Sequence, residues 1–444
     1  MAIVLRKHQT DGIKFIQEGQ HLGSLLMHGM GLGKTLSALT VARTHLAMLR
    51  KKGVAAPKFM VVIPKSAQTT WQVECNTHMP DIFRDMILIP YSQLNKAPKL
   101  IVYYDIRLVI MDESHYVKSP ETNRAKDLAD MLLNLSSSKG SFKDGKIVML
   151  TGTPMPNTAS EFYTTWAILG SPDCNEAAAR LLDPKRFDNW TKTFCLKKEN
   201  KWKKRDGSEK RGSEFEGINN SEMLQQLLAP IVHYRKVEDC IDLPEKQESY
   251  IDLNLPDDKL LADANIEEPQ EYMALLERLA RAKTPHLISW VADFMHVGKD
   301  QLVVFSNYKF PLQELLEKYP SQMVLVTGEQ TGGERKANIE AFQTGKRRII
   351  GLTYRAGAES LNLQNAHTTI YHGFPWHNAA IMQAMARTYR SGQKNFTLHY
   401  FMMSGHNDMR ILKLVRAKGA ATKELEEHFL NNIENEVLAL DLFI

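Results

Sequence analysis

Cysteine is scarce and scattered in this sequence. Its four cysteines, Cys75, Cys174, Cys195 and Cys240, form no CxxC pair. That excludes a zinc ribbon or a dithiol redox motif and points to buried free thiols. No apolar run approaches the roughly 20 residues that a membrane span needs, and no charged-then-apolar signal pattern opens the chain. No membrane partner is therefore expected, and the location read from this is intracellular. Excess charge is small too, +5 over 444 residues, which permits a nucleic-acid partner without requiring one. The 43% of hydrophobic residues is that of a globular protein, and 444 residues exceed one ordinary core, so two domains are expected.

The chain is organised around His28-Gly29-Met30-Gly31-Leu32-Gly33-Lys34-Thr35. An apolar run precedes it and a helix-like run follows, giving strand, glycine-rich turn and helix. Closely spaced glycines let backbone N–H groups converge on an anion, and the helix N-terminus adds partial positive charge. Lys34 would reach the β- and γ-phosphates of a nucleotide, and the Thr35 hydroxyl would ligate Mg²⁺. A full phosphate loop has glycine where His28 stands, so a plain strand–helix turn is the competing reading.

Four apolar runs follow, at 59–63, 86–89, 108–111 and 147–150, with helix-like patterns between them. Continuous apolar strands alternating with helices imply a parallel sheet covered on both faces, whose ligands bind beyond the strand carboxyl ends. The second half repeats the rhythm at 302–305, 323–326, 349–352, 368–371 and 398–401. The run ending at Met111 delivers Asp112-Glu113-Ser114-His115, where Asp112 can order a metal and Glu113 can polarise an attacking water. The run ending at Leu150 delivers Thr151-Gly152-Thr153-Pro154, small hydroxyl residues suited to sensing a phosphate. The run ending at Ile63 delivers Lys65 and Ser66, able to hold a nucleic-acid phosphate. Gln9, on a short N-terminal amphipathic helix, can offer its amide to an adenine edge.

Residues 160–245 read mainly as helices interrupted by KKENKWKKRDGSEKR at 197–211, eight basic residues against three acidic. Lys201, Lys203, Lys204 and Arg205 around Trp202 suit backbone tracking with base stacking; a solvated loop is the alternative. In the second half Arg387 and Arg390, three apart, are expected to share one helix face. They would serve either in salt bridges or as fingers for transition-state charge.

Taken in order, these segments resemble superfamily-two helicase motors of the Swi/Snf-like branch. Gly31 to Thr35 is similar to motif I and Asp112 to His115 to the DExH box. Leu150 to Pro154 with Asn157 resembles motif III, and Thr353 to Asn362 resembles motif V. Gln383 to Gln393 follows QxxxRxxRxGQ of motif VI, and Arg6 with Gln9 resembles the adenine-side Q motif. The opening His28-Gly29 and the acidic Glu359 depart from the family pattern. Phe194-Cys195 with the basic insertion, and Phe215 to Asn220, resemble annealing helicases that remodel stalled forks; compact bacteriophage or bacterial motors are similar.

The resemblance implies an α/β fold of two tandem RecA-like domains. Residues 1–165 and 286–444 would form them, with a mainly helical insertion at 166–245 and a connection at 246–285. It implies a DNA-dependent ATPase using ATP and Mg²⁺. Arg6, Gln9, Gly31, Gly33, Lys34, Thr35 and Gln383 would hold nucleotide, and Thr35 and Asp112 the metal. Lys34, Asp112, Glu113, Arg387 and Arg390 would carry catalysis. Lys65, Ser66, Thr353, Asn362 and the insertion would hold DNA. Duplex and branched DNA are the expected partners, and fork regression, branch migration and limited unwinding in replication, recombination or repair the expected work. A protein-displacing remodeller and an ATP-gated clamp remain open. A monomer is expected, with the apolar tail 436–444 packing on its own domain or docking a replication partner.

Overall fold

The computed structural model describes residues 4–137, 145–152, 158–203, 209–253, 255, 269–357, 361–375, 378–405, 408–409 and 411–413. Residues 4–200 and 212–241 fall in one compact unit, and the stretch from Asp242 onward to residue 417 falls in the second. The tail at 436–444, Thr153 to Asn157 of the third motif, Glu359 of the fifth, and Lys204 and Arg205 lie outside the described residues.

The first unit opens with helix α1 (Lys7–Glu18) and strand β1 (Gly23–His28), then α2 (Lys34–Lys51) and β2 (Phe59–Ile63). It continues through α3 (Gln68–His78), β3 (Met86–Pro90), α4 (Ala97–Tyr104), β4 (Leu108–Asp112), α5 (Asn123–Ser137) and β5 (Lys146–Thr151). Helices α6 (Phe162–Leu169), α7 (Cys174–Leu182) and α8 (Pro184–Phe194) follow. The Asp173 and Asp183 side chains accept from the first free N–H groups of α7 and α8, so two acidic caps start this helical stretch. Strands β6 (Leu196–Lys203) and β7 (Glu209–Glu216) pair as a two-stranded sheet. The described residues of the basic insertion, 197–203 and 209–211, are thus drawn out as strands rather than as a loop within helices. After α9 (Ser221–Leu228) comes β8 (Val232–Arg235), which pairs with β1 and completes a parallel sheet in the order β3-β2-β4-β5-β1-β8. The first sheet therefore extends past the boundary expected at residue 165.

The second unit holds β9 (Lys246–Asp252), α10 (Pro269–Val297), β10 (Leu302–Ser306), α11 (Phe310–Lys318), β11 (Met323–Val326) and α12 (Gly332–Gln343). Then come β12 (Ile349–Thr353), α13 (Tyr354–Gly357), β13 (Thr368–Tyr371), α14 (Asn378–Met385) and β14 (Thr397–Met403). Its sheet, β11-β12-β10-β13-β14-β9, is also parallel. Strand β9, within the expected connection, is its outer strand.

Period-two alternation sends side chains to both faces of each sheet. In the first, Leu25, Met27, Val62, Val109, Met111 and Met149 enter one cluster and Leu26, Val61, Ile63, Ile110 and Leu150 the other. In the second, Val303, Phe305, Ile350 and Leu352 face one way and Leu302, Val304, Ile349 and Ile370 the other. Each fully buried aliphatic side chain contributes about 1.5–3 kcal/mol. These double-faced cores fix the strands, and with them the residues at their carboxyl ends.

Candidate active site

Strand register decides what meets in the first unit. Leu150 of β5 lies opposite Leu26 of β1 on one side and Asp112 of β4 on the other. The glycine turn after β1, the Thr151-Gly152 end of β5 and the acidic end of β4 therefore emerge side by side, where parallel sheets take ligands.

The turn is built for an anion. Gly31 and Gly33 adopt left-handed φ angles of 83° and 73°, which side chains with a Cβ rarely adopt, and Gly33 leads directly into α2. Lys34, the first helical residue, folds back so that Nζ donates to the carbonyls of His28 (2.9 Å) and Gly29 (3.4 Å). A Cβ on Gly152 would lie 3.1 Å from that Nζ, so the glycine lets the ammonium lie against the end of β5. Thr35 sits half-buried in the first turn of α2.

Gln9 is buried in α1 and bridges two backbones: Oε1 accepts from the Arg6 N–H (2.9 Å) and Nε2 donates to the Gly33 carbonyl (3.2 Å). It thereby ties α1 to the turn; Arg6 is exposed. His8 holds the Leu32 carbonyl at 2.9 Å. Where a phosphate loop would have glycine, His28 faces His233 of β8, Nε2 to Nδ1 2.7 Å. Burial, then the neighbouring His233 and Lys34, lower the His28 pKa to about 2; burial and Arg235 lower that of His233 to about 3. The pair is neutral and structural, and no sequence pattern had marked His233.

The acidic end is buried and crowded. Asp112 Oδ2 accepts from the Trp71 indole at 2.8 Å, Oδ1 from the Glu113 N–H at 3.0 Å, and its carbonyl from the Tyr91 hydroxyl at 2.8 Å. Burial and the Glu113 charge raise its pKa to about 6, against the pull of Trp71 and Lys34. Glu113 holds φ at 50° without being glycine, a strained conformation of the kind concentrated at functional sites. Its Oε2 lies 3.3 Å from His115 Nδ1, which is also 3.5 Å from Thr151 Oγ1. His115 thus connects the acid to the end of β5. Trp71 holds the Asp112 carboxylate and Tyr91 only its backbone carbonyl; motif reading missed both, and only the hydrogen bonds reveal them.

The acid fits a hard cation. A buried carboxylate whose pKa rises, with a hydroxyl at a nearby helix N-terminus, offers the oxygen donors that Mg²⁺ prefers. Lys65 is exposed and Ser66 half-buried in the 3-10 turn Lys65–Ala67, which runs straight into α3 and Trp71.

In the second unit α14 ends at Met385, so Arg387 and Arg390 do not share the helix face expected of them. The chain tightens instead: Arg387 N–H bonds Ala384 O and Thr388 N–H bonds Met385 O, three residues back. The buried Thr388 hydroxyl meets Thr369, and Gly392 turns the chain at φ 96°. The arginines converge by another route, both donating to the Leu361 carbonyl, at 3.4 and 3.2 Å. Gln393 fixes the bend by donating to Gln364, Ala366 and Thr388 carbonyls at 3.0–3.1 Å. Gln383 is buried on α14, Thr353 ends β12 half-buried, and Asn362 is exposed beside Leu361, its Oδ1 accepting from the Gln364 N–H. Lys201, Trp202 and Lys203 lie on β6.

The sequence profile of the SNF2-related domain matches residues 8–89 and 83–262, and that of the helicase conserved C-terminal domain matches 271–392. The chain is 24% identical over 454 residues to the Xenopus laevis SWI/SNF-related matrix-associated actin-dependent regulator of chromatin subfamily A-like protein 1, covering 93% of this chain and 43% of that protein. It is 23% identical to the human DNA annealing helicase and endonuclease ZRANB3, covering 93% and 40%. It thus spans less than half the length of either relative. A solved Sulfolobus solfataricus SWI2/SNF2 ATPase core in complex with dsDNA is 18% identical, with a TM-score of 0.39 and coverage of 93% and 91%.

Proposed function

The chain belongs to the SNF2-related family, and we propose that it is a DNA-dependent ATPase of helicase type that remodels branched DNA by fork regression and branch migration. The observation that carries the catalytic part is the register that brings Lys34, Gly152 and the Asp112–Glu113 pair to adjoining strand ends. Phosphate oxygens would replace the His28 and Gly29 carbonyls as acceptors for Lys34, and the N–H groups of the Gly31–Thr35 turn would receive the rest of the charge. Thr35 and Asp112 would hold Mg²⁺, which when bound neutralises charge on the β- and γ-phosphates. Glu113 takes the proton of the attacking water, its position set by the strained backbone and by His115. Arg387 and Arg390 stabilise charge on the transferred phosphoryl group, exchanging the Leu361 carbonyl for phosphate oxygens. Their shared carbonyl lies next to Asn362, which together with Thr353, Lys65 and Ser66 would grip DNA backbone.

The branched-DNA part rests on the basic insertion and on the named relatives. The decisive experiment follows labelled four-way junctions and forks with ATP, alongside displacement of a third strand from a duplex. ATP-dependent movement of both supports the reading. Triplex displacement without junction movement leaves a plain duplex translocase, and ATP-dependent binding without either leaves a clamp.

A further inference from the structure

Trp71 joins two segments that the proposed function uses separately. It stands in α3, which starts immediately after the turn bearing Lys65 and Ser66. Its ring is 1% exposed and lies in the apolar cluster with Ile63, Ala67, Cys75 and Ile110. Its single polar atom, Nε1, donates to Asp112 Oδ2 at 2.8 Å. Among the described residues no other side chain donates to this carboxylate; the remaining bond, from the Glu113 N–H, comes from the backbone.

An indole is a donor only, with a direction fixed by a rigid ring. A buried ring in a close-packed cluster cannot turn independently of its helix. The Asp112 carboxylate is therefore oriented by α3, and its second oxygen by its own strand end. We propose that Trp71 is a positioning residue: its indole sets the Asp112 carboxylate for Mg²⁺ and carries a shift of the Lys65–Ala67 turn, when DNA is gripped there, to the metal site. This rests on the reading of Asp112 as a Mg²⁺ ligand and deepens it, by giving the DNA dependence of turnover a physical route through this chain. Partners that orient a metal ligand typically matter by 10–100-fold in metal affinity.

The test uses the full chain and the variant Trp71→Phe, which keeps an apolar ring and loses the N–H. Tyr91→Phe is the control, because Tyr91 donates to the Asp112 backbone carbonyl and not to the carboxylate. Two readouts are taken: the Mg²⁺ concentration at half-maximal binding of a fluorescent ATP analogue, and the ratio of duplex-stimulated to basal turnover. For Trp71→Phe we expect the Mg²⁺ midpoint to rise about tenfold, analogue binding in chelator to stay as in the parent, and the stimulation ratio to collapse while duplex affinity holds. Tyr91→Phe should leave the midpoint within twofold.

An unchanged midpoint in folded Trp71→Phe overturns the positioning role. A shifted midpoint with the stimulation ratio intact overturns the route from DNA. Asp112→Asn separates this from the underlying reading: if it leaves Mg²⁺-dependent binding unchanged, the metal assignment itself fails. Should Trp71→Phe not fold, 3-benzothienylalanine at position 71, with sulfur in place of the N–H, gives the same comparison at constant shape.

Discussion

Each unit buries an acid, and the two acids are treated differently. In the second unit Asp408 is answered in full: Lys283 Nζ lies 2.7 Å from its carboxylate and the Ser404 N–H donates at 2.7 Å. In the first, Asp112 receives an indole and one backbone N–H, and its pKa rises to about 6. A buried charge closed by its own counter-ion is structural; one held by hydrogen bonds alone at a strand end is, under the proposed function, where a cation from outside would sit. The polar residues differ likewise: the first sheet ends in a glycine turn and acids, whereas the second unit gathers two arginines on one carbonyl after α14. One architecture, used twice, thus carries different polar residues, and under the proposed function these supply different parts of phosphate chemistry.

The sharpest way to break this comparison is through the arginines. Arg390→Ala should depress DNA-stimulated ATP turnover about a thousandfold, the scale of arginine fingers, while nucleotide binding stays near that of the parent. If steady-state phosphate release is unchanged, the second unit's arginines are structural and supply no part of that chemistry. Next in size is Lys34→Ala, expected to cost roughly a hundredfold or more in turnover, and Glu113→Gln should bind ATP yet stall in hydrolysis. Parent-like phosphate release by the first, or lost nucleotide binding by the second, would misassign that residue.

A third prediction concerns the neutral histidine pair. His28 and His233 ionise near 6.5 when unfolded but only near about 2 and about 3 in the fold. The stability they supply is complete above pH 6.5 and is lost as pH falls toward those values, on the order of 2 kcal/mol for each at pH 5. His399 of the second unit, lowered to about 3 by burial, should behave alike. Melting curves from pH 7.5 to 5 should therefore show a steep acid loss that His28→Gln with His233→Gln reduces. An unaltered slope in that double variant would mean the pair does not resist protonation.

The smallest effect expected is that of the insertion. Replacing Lys201, Lys203, Lys204 and Arg205 with alanine should weaken junction binding about tenfold and reduce its salt slope by up to about 4, because each phosphate contact releases roughly one counterion. Linear-duplex ATPase should survive. Normal junction movement by this variant would leave the insertion a solvated hairpin.

Much of the architecture is legible in the sequence because both sheets are covered on both faces. All nine expected runs, from Phe59–Ile63 to Thr397–Met403, are strands. What escaped notice is polar: β8 reads VHYR and β9 reads KQESYID, outer strands without a continuous apolar run. The basic insertion looked like a loop for the same reason. At the site, the turn glycines, Lys34 and the acidic pair could be found from spacing. Trp71 and Tyr91 could not, since each lies at least 21 residues from Asp112 and only the fold brings it there. The arginines were placed on one helix face because three-residue spacing suggests it, whereas the Thr388 hydroxyl meets that of Thr369 and Gln393 donates to the Ala366 carbonyl, contacts outside the helix that end it early.

The central claim, an ATPase driven by DNA and suited to branched DNA, is tested most directly by one comparison of turnover. Phosphate release would be measured for the full chain with no DNA, single strands, linear duplex, forks and four-way junctions at equal nucleotide concentration, with Glu113→Gln as the blank. The account predicts strong stimulation by duplex, further stimulation by forks and junctions, and none above background in the blank. Turnover that ignores DNA altogether, or that is as high on single strands as on junctions, would contradict it.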